Sequence, residues 1–126
     1  MPGSDKNVFV IAEVGVNHNG DPNLAAELVD IARDVGADAV KFQTFEASAL
    51  VTSVAEKARY QKAATKVTDT ESQREMLEQL QLDAETHFSL MRQAQALDLQ
   101  FMSTAFDEKS LEFLVKELDL PILKIP

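Results

Sequence analysis

Apolar residues in this chain occur in short continuous runs, separated by longer segments in which they recur every third or fourth position. The first run, residues 8–16, is rich in β-branched residues and does not alternate with polar ones. Such a run is typical of a strand buried on both faces of a parallel sheet. Similar runs at 39–45, 100–105 and 122–125 complete a set of four predicted strands.

The segments between these runs have the spacing of amphipathic helices. Asp21 followed by Pro22 indicates a helix start, because the aspartate can cap the first turn and proline fits the first helical position. Gly36 marks the end of that helix. Further helices are predicted over 72–80, 84–97 and 108–118. This alternation predicts an α/β fold with a parallel sheet, built either as an open doubly wound sheet or as a barrel.

Polar side chains interrupt the predicted strands near their carboxyl ends. They are Glu13 in the first strand, Lys41 and Gln43 in the second, Thr104 in the third and Lys124 in the fourth. A buried charge is costly unless it is paired, and parallel sheets of both kinds bind ligands at the carboxyl ends of their strands. The set therefore predicts an anion site with an acid–base group, suited to a substrate that carries phosphate or carboxylate.

Each of these residues also has a simpler interpretation. Glu13 and Lys41 could form only a buried ion pair, and Lys124 could be a solvated residue. Thr104 could cap the following helix, although Asp107 suits that role better. The combination of all the strand ends favours a binding site over these separate explanations.

Neither histidine is interpreted as a metal ligand, and His87 is taken as structural or solvent-facing. His18 lies in a polar loop and is expected to be exposed to solvent. His87 lies on a predicted helix with no metal partner at a matching spacing. Two histidines are also too few for an all-histidine metal site within one chain.

Composition excludes several classes of function. The 126 residues carry 12 Lys and Arg against 21 Asp and Glu, a net charge of −9, which argues against partners such as nucleic acids and anionic membranes. There is no cysteine, so disulfides, thiolate catalysis and cysteine-based zinc sites are excluded. No apolar run approaches the roughly 20 residues of a membrane span, and the start shows no secretory signal. A cytoplasmic protein is the expectation.

Five separated motifs resemble the bacterial sialic acid synthase family, which includes N-acetylneuraminate, legionaminic acid and pseudaminic acid synthases. The motifs occur in order along nearly the whole chain: IAEVGVNHNGD at 11–21, GADAVKFQTF at 36–45, ESQREMLEQL at 71–80, STAFDEKSLEFL at 103–114 and KIP at 124–126. Ala105 stands where the family usually has proline, a mild change in loop stiffness.

The resemblance implies an aldolase-type (β/α)8 TIM barrel, of which residues 1–126 supply strands one to four as a half-barrel. By the same resemblance, the rest of the barrel and a C-terminal antifreeze-like domain are expected to lie outside these 126 residues. Family members condense phosphoenolpyruvate with an N-acetylated sugar aldehyde, N-acetylmannosamine or a deoxy-diamino relative, into a nine-carbon 2-keto acid and release phosphate. A divalent metal, Mn²⁺ or Mg²⁺, is implied with ligands outside this chain, as is a homodimer of the full-length protein.

The resemblance also implies roles for the strand-end residues. Glu13 is the active-site carboxylate, for acid–base work or orientation of water and sugar. Lys41 holds the carboxylate or phosphate end of phosphoenolpyruvate, and Gln43 contacts the sugar. Thr104 and Lys124 occupy phosphate-binding positions.

Three further residues are expected at the substrate site. Asn17 belongs to the first motif without a fixed role, and Tyr60 and Gln61 in the long polar stretch at 46–69 are expected to cover the sugar. The fragment is expected to be inactive alone. Two alternatives remain open: a non-catalytic half-barrel interaction module, and a different barrel enzyme that acts on a phosphorylated sugar.

Overall fold

Three parallel strands form the sheet, in the order β1-β2-β3. A computed structural model describes residues 8–50 and 68–126, and of residues 68–72 it describes the backbone only. The elements in chain order are β1 (Ile11–Gly15), α1 (Pro22–Asp34), β2 (Ala39–Thr44), α2 (Thr68–Leu80), α3 (Ala84–Ala96), β3 (Gln100–Ala105) and α4 (Glu108–Glu112), which continues as a π-helical turn (Phe113–Glu117). The predicted α/β fold with a parallel sheet is confirmed.

The hydrophobic core lies between one face of the sheet and the helices. Phe42 in β2 stacks on Phe101 in β3, with ring centroids 5.5 Å apart. Both rings belong to one buried cluster with residues of α1, α3 and the π-helical turn, including Val29 and Leu114. Because side chains alternate along a strand, Lys41 and Gln43 lie on the opposite face of the sheet from Phe42.

The predicted start and end of the first helix, which rest on its capping residues, agree with the structure. Asp21 caps α1, and its carboxylate accepts hydrogen bonds from the backbone N–H groups of Asn23 and Leu24. Gly36 follows that helix with φ of +81°, a left-handed conformation that glycine adopts without strain. The helix predicted from residue 72 begins earlier, at Thr68.

The first strand differs from its prediction. It is shorter than the apolar run, and Val8, Phe9 and Val10 before it are 69%, 42% and 49% exposed. In the part of the chain that the structure describes, β1 pairs with β2 alone. Burial of the whole run on both faces is therefore wrong, because Ile11 and Glu13, on the face of β1 opposite the helices, are exposed as well.

The fourth predicted strand is not confirmed. Within 8–50 and 68–126 the sheet has three strands, and residues 122–125 are assigned no regular structure. This segment lies alongside β3, where the Lys124 backbone N–H is 3.5 Å from the Ser103 carbonyl oxygen. That distance is long for a ladder hydrogen bond, so the segment follows the sheet without being a regular strand.

The helix predicted over 108–118 also differs in which side chains it buries. The apolar spacing predicts that Leu111, Leu114, Val115 and Leu118 all face inward. Leu114 and Leu118 are buried, but Leu111 and Val115 are 43% and 45% exposed. Ser110 is buried, so the inward stripe follows every fourth residue and is narrower than the amphipathic pattern predicts.

Candidate functional site

The strand register brings the predicted site residues together. Glu13 in β1 is the pairing partner of Lys41 in β2, and Gln43 is the partner of Thr104 in β3. Register partners lie on the same face of a sheet, here the face opposite the helices. The structure therefore gathers these side chains at the carboxyl ends of three adjacent strands, as the sequence predicted.

Glu13 and Lys41 form an ion pair, in which the Lys41 ammonium contacts Glu13 Oε2. The two side chains differ in exposure, since Lys41 is 15% exposed and Glu13 is 47% exposed. The carboxylate thus neutralises a largely buried ammonium while it remains open to solvent or a ligand. An ammonium has three N–H donors, so Lys41 can bind an anion beside Glu13.

Gly15 shapes the space between Glu13 and Gln43, a role that the motif analysis missed. Its φ is +58°, in the left-handed region that favours glycine. A Cβ at this position would lie 3.0 Å from Glu13 Oε1 and 3.4 Å from Gln43 Nε2. The pairing register of β1 also shifts between Glu13 and Gly15. The glycine therefore lets a carboxylate and an amide approach the same spot on the backbone.

Thr104 offers a buried hydroxyl to this face. The residue is 3% exposed, and its Oγ1 has no hydrogen-bond partner among the residues that the structure describes. It is not needed as a helix cap, because Asp107 caps α4 and accepts from the Ser110 N–H at 2.8 Å. A buried hydroxyl without a partner is costly, so this oxygen is suited to bind a ligand.

The other predicted site residues are exposed or lie outside the described residues. Lys124 is exposed, and its ammonium donates to the Ile125 carbonyl oxygen. Asn17 is exposed in the loop between β1 and α1. Tyr60 and Gln61 lie outside the described residues. The structure thus brings together Glu13, Lys41, Gln43 and Thr104 of the predicted set.

His18 is buried, so the prediction of an exposed loop residue is wrong. It is 1% exposed, and its ring stacks on Phe42 with centroids 6.1 Å apart. Its Nδ1 accepts a hydrogen bond from the Gly20 N–H at 2.9 Å. Burial is the main cause that lowers the pKa of His18, and the nearby His87 lowers it further. A hydrogen bond to the Gly15 backbone acts in the opposite direction and raises it. The loop turns the ring inward because Phe42 provides an aromatic surface on the adjacent strand.

His87 lies in a buried polar network on the helix-covered side of the sheet. Its Nε2 is 2.9 Å from Thr44 Oγ1, and Thr44 Oγ1 is 2.7 Å from Ser103 Oγ. Its Nδ1 is 2.8 Å from the Asp83 carbonyl oxygen. Burial lowers the pKa of His87 and outweighs the hydrogen bond to that carbonyl and the Asp83 charge, which both raise it. Of the two interpretations of His87, structural or solvent-facing, its burial supports the first, but its partners Thr44 and Ser103 were not identified from the sequence.

A cavity of about 510 Å³ lies on the helix-covered side of the sheet. It is bounded by the end of β2 and the first turns of α3 and α4, and its lining includes Thr44, His87 and Phe113. Glu13 and Lys41 are not part of that lining. The strand-end face is therefore a separate site on the other side of the sheet.

The described residues do not provide a complete metal site. No group of three His, Asp or Glu side chains among those that the structure describes could hold a metal ion. In the same part of the chain, no helix is both long enough and apolar enough to span a bilayer.

Comparison with known proteins relates this geometry to a family. Residues 28–126 match the NeuB family model. The chain is 52% identical over 124 residues to the N,N'-diacetyllegionaminic acid synthase of Legionella pneumophila and 47% identical over 121 residues to that of Campylobacter jejuni. The alignments cover 98% and 96% of this chain but 34% and 35% of those proteins. The chain thus spans about a third of the length of the curated relatives it matches.

Solved structures agree in fold. An N-acetylneuraminic acid synthetase from Leptospira borgpetersenii, crystallised with citrate, matches with a TM-score of 0.75 and 29% identity. That match covers 95% of this chain and 36% of the other. Spore coat polysaccharide biosynthesis protein SpsE from Bacillus subtilis matches with a TM-score of 0.65 and 32% identity, over 98% and 30% of the two chains. The three-stranded α/β unit is therefore similar to part of a sialic acid synthetase.

Proposed function

This chain belongs to the NeuB family, and from that premise we propose that it carries part of the active site of a sialic acid-type synthase. The reaction condenses phosphoenolpyruvate with an N-acetylated sugar aldehyde to a nine-carbon 2-keto sugar acid and inorganic phosphate. One observation carries the proposal. The Glu13–Lys41 pair lies beside the Gln43 amide and the buried Thr104 hydroxyl at the carboxyl ends of parallel strands.

Lys41 and Thr104 are assigned to the anionic substrate. The Lys41 ammonium would bind the carboxylate or phosphate of phosphoenolpyruvate through charge-assisted hydrogen bonds. The Thr104 hydroxyl, buried without a partner in the described part of the chain, would donate to a phosphate oxygen. Lys124 would join them in the whole protein, where residues 122–125 would form the fourth barrel strand.

Glu13 and Gln43 are assigned to the reacting centre and the sugar. A carbon–carbon bond forms between the methylene carbon of phosphoenolpyruvate and the aldehyde carbon of the sugar, whose oxygen takes up a proton. Water then adds to the positive charge left on the next carbon and loses a proton. Phosphate leaves by cleavage of its carbon–oxygen bond as the new hydroxyl gives up its proton and becomes the keto group. The Glu13 carboxylate, about half exposed beside Lys41, would accept the proton of that water. The Gln43 amide would hydrogen-bond the sugar, with Asn17, Tyr60 and Gln61 as further contacts.

The names of two similar proteins indicate which class of sugar to favour as the substrate. Two matching proteins, at 52% and 47% identity, are N,N'-diacetyllegionaminic acid synthases. We therefore favour a deoxy-diamino sugar that carries two acetamido groups over N-acetylmannosamine.

The whole protein is proposed to be a homodimeric (β/α)8 barrel with a C-terminal antifreeze-like domain. A divalent metal, Mn²⁺ or Mg²⁺, remains part of the proposal, but the described residues offer no complete set of ligands for it. The 126-residue chain is expected to be inactive alone, since it spans about a third of its relatives. Nothing observed favours an interaction module, which would not require a lysine, carboxylate, amide and hydroxyl on one face.

The test is phosphoenolpyruvate binding to the protein that carries this segment at its native length. Lys41→Met removes the ammonium and should weaken binding by about 10- to 100-fold, because hydrogen bonds to charged groups contribute about 1.5–3 kcal/mol. Lys116→Met is the matched control, since Lys116 is exposed and pairs with Glu112 on a helix. Binding should be unchanged in that variant.

A third variant separates ligand binding from a structural ion pair. Glu13→Gln breaks the same ion pair but keeps Lys41, so it should retain phosphoenolpyruvate binding while it slows turnover. Unchanged binding by Lys41→Met, or equal losses in both variants, would remove the role assigned to Lys41.

A further inference from the structure

The structure assigns a positioning role to His87: through Thr44 and Ser103, it aligns the carboxyl ends of β2 and β3 so that Gln43 and Thr104 face the substrate together. This inference rests on the proposed function for its effect on the reaction. It concerns the side of the sheet opposite the binding face.

The network lies directly behind the site. Thr44 follows Gln43 in the chain, and Ser103 precedes Thr104. Because successive side chains point to opposite faces, each network hydroxyl is attached to the backbone next to a binding residue. Gln43 and Thr104 are also register partners. A bond between the two hydroxyls thus joins the strands at the level of the site.

The direction of each hydrogen bond follows from its partners. The Asp83 carbonyl oxygen can only accept, so His87 Nδ1 carries the proton and donates at 2.8 Å. In the neutral ring Nε2 must then accept from the Thr44 hydroxyl, at 2.9 Å. The Thr44 oxygen in turn accepts from the Ser103 hydroxyl, at 2.7 Å. Only this arrangement of donors and acceptors satisfies all the hydrogen bonds of the His87 ring and the Thr44 hydroxyl.

The ring itself is held in place. His87 is 1% exposed on α3, and Phe113 packs edge-on against it with centroids 5.5 Å apart. Asp83, whose carbonyl oxygen accepts the hydrogen bond from Nδ1, is the N-cap of α3. The network therefore ties two strands to the rigid start of a helix. Its loss would leave the two strand ends joined by the backbone ladder alone, and small displacements of residues that hold the substrate reduce turnover strongly.

The experiment compares Thr44→Val with Thr44→Ser in the native-length protein. Valine removes the hydroxyl at nearly constant volume, whereas serine keeps it. Thr44→Val should lower kcat/KM for the condensation by at least about 10-fold and raise the KM for the sugar. Thr44→Ser should stay within about two-fold of the wild type.

A destabilised control isolates positioning from lost stability. Val29→Ala removes buried volume from the core away from the network. It should lower the melting temperature yet leave kcat/KM within about two-fold. If Thr44→Val does not fold, Ser103→Ala tests the same link, because it removes the outer hydroxyl and keeps the Thr44–His87 bond. Kinetics of Thr44→Val or Ser103→Ala equal to those of Val29→Ala would overturn the inference.

Hydrogen exchange makes the result independent of the proposed reaction. Peptides that cover β2 and β3 should exchange faster in Thr44→Val than in Val29→Ala at equal distance from the melting temperature. If the wild-type protein has no synthase activity, the proposed function is wrong. Hydrogen exchange would still report on the alignment of the two strands. Equal exchange in the two variants would refute the positioning role, even in an active enzyme.

Discussion

Gly15 and Gly36 allow the crowding at the site to be measured apart from backbone strain. Both residues have left-handed φ values, +58° and +81°. Alanine at either position costs about 1–2 kcal/mol in backbone strain. A Cβ on Gly36 would meet no atom within 4 Å, whereas a Cβ on Gly15 would lie 3.0 Å from Glu13 Oε1 and 3.4 Å from Gln43 Nε2. Both substitutions therefore introduce backbone strain, but only Gly15→Ala also brings a Cβ close to the Glu13 and Gln43 side chains.

The contact at Gly15 displaces functional groups without breaking the fold. The nearest atoms are the ends of flexible side chains, so they can move by a few tenths of an ångström. We therefore expect Gly15→Ala and Gly36→Ala to lower the free energy of unfolding by similar amounts, about 1–2 kcal/mol in urea titrations. In the native-length protein, Gly15→Ala should lower kcat/KM by about 10-fold, because it shifts both Glu13 and Gln43. Gly36→Ala should leave kcat/KM within about two-fold.

Two results would refute this reasoning. If Gly15→Ala keeps wild-type kcat/KM while it loses stability like Gly36→Ala, the space above Gly15 has no role in the reaction. If Gly36→Ala loses as much activity as Gly15→Ala, strain rather than the contact explains the effect.

The remaining predictions concern stability. His18 and His87 have pKa values lowered from 6.5, so below about pH 6.5 the unfolded chain takes up protons that the folded chain does not. The free energy of unfolding should be level above that pH and fall as the pH drops towards 5, and urea midpoints equal at pH 7.5 and 5 would contradict this. Asp107→Ala should cost about 1 kcal/mol or more, because Asp107 caps α4 and also accepts from the Glu46 N–H at 2.8 Å. Glu27→Ala on the exposed face of α1 is its control, and equal urea midpoints for the two variants would rule out the cap.

The strand-end site could be predicted because it follows from two local rules. Side chains alternate along a strand, and the carboxyl ends of parallel strands meet at one edge of the sheet. Lys41 and Gln43, two residues apart, therefore had to share a face. The adjacent strands then supplied Glu13 and Thr104 once each apolar run had been identified as a strand.

The features that the sequence did not reveal depend on distant contacts. His18 lies in a loop whose composition indicates exposure, and it is buried because Phe42 in another element stacks on it. The network of His87, Thr44 and Ser103 joins residues 43 and 59 positions apart. Residues 122–125 have the composition of a strand but are not a regular strand, since the Lys124 N–H is 3.5 Å from the Ser103 carbonyl oxygen, which is long for a ladder hydrogen bond.

The measurement that tests the central claim most directly is phosphate release by the native-length protein. Phosphoenolpyruvate and a diacetylated deoxy-diamino sugar would be supplied together to the wild type, Lys41→Met and Lys116→Met. We predict release that depends on both substrates, is retained by Lys116→Met and is lost by Lys41→Met. Release by Lys41→Met at the wild-type rate, or none by the wild type with any N-acetylated sugar, would contradict the assignment of this strand-end face to phosphoenolpyruvate.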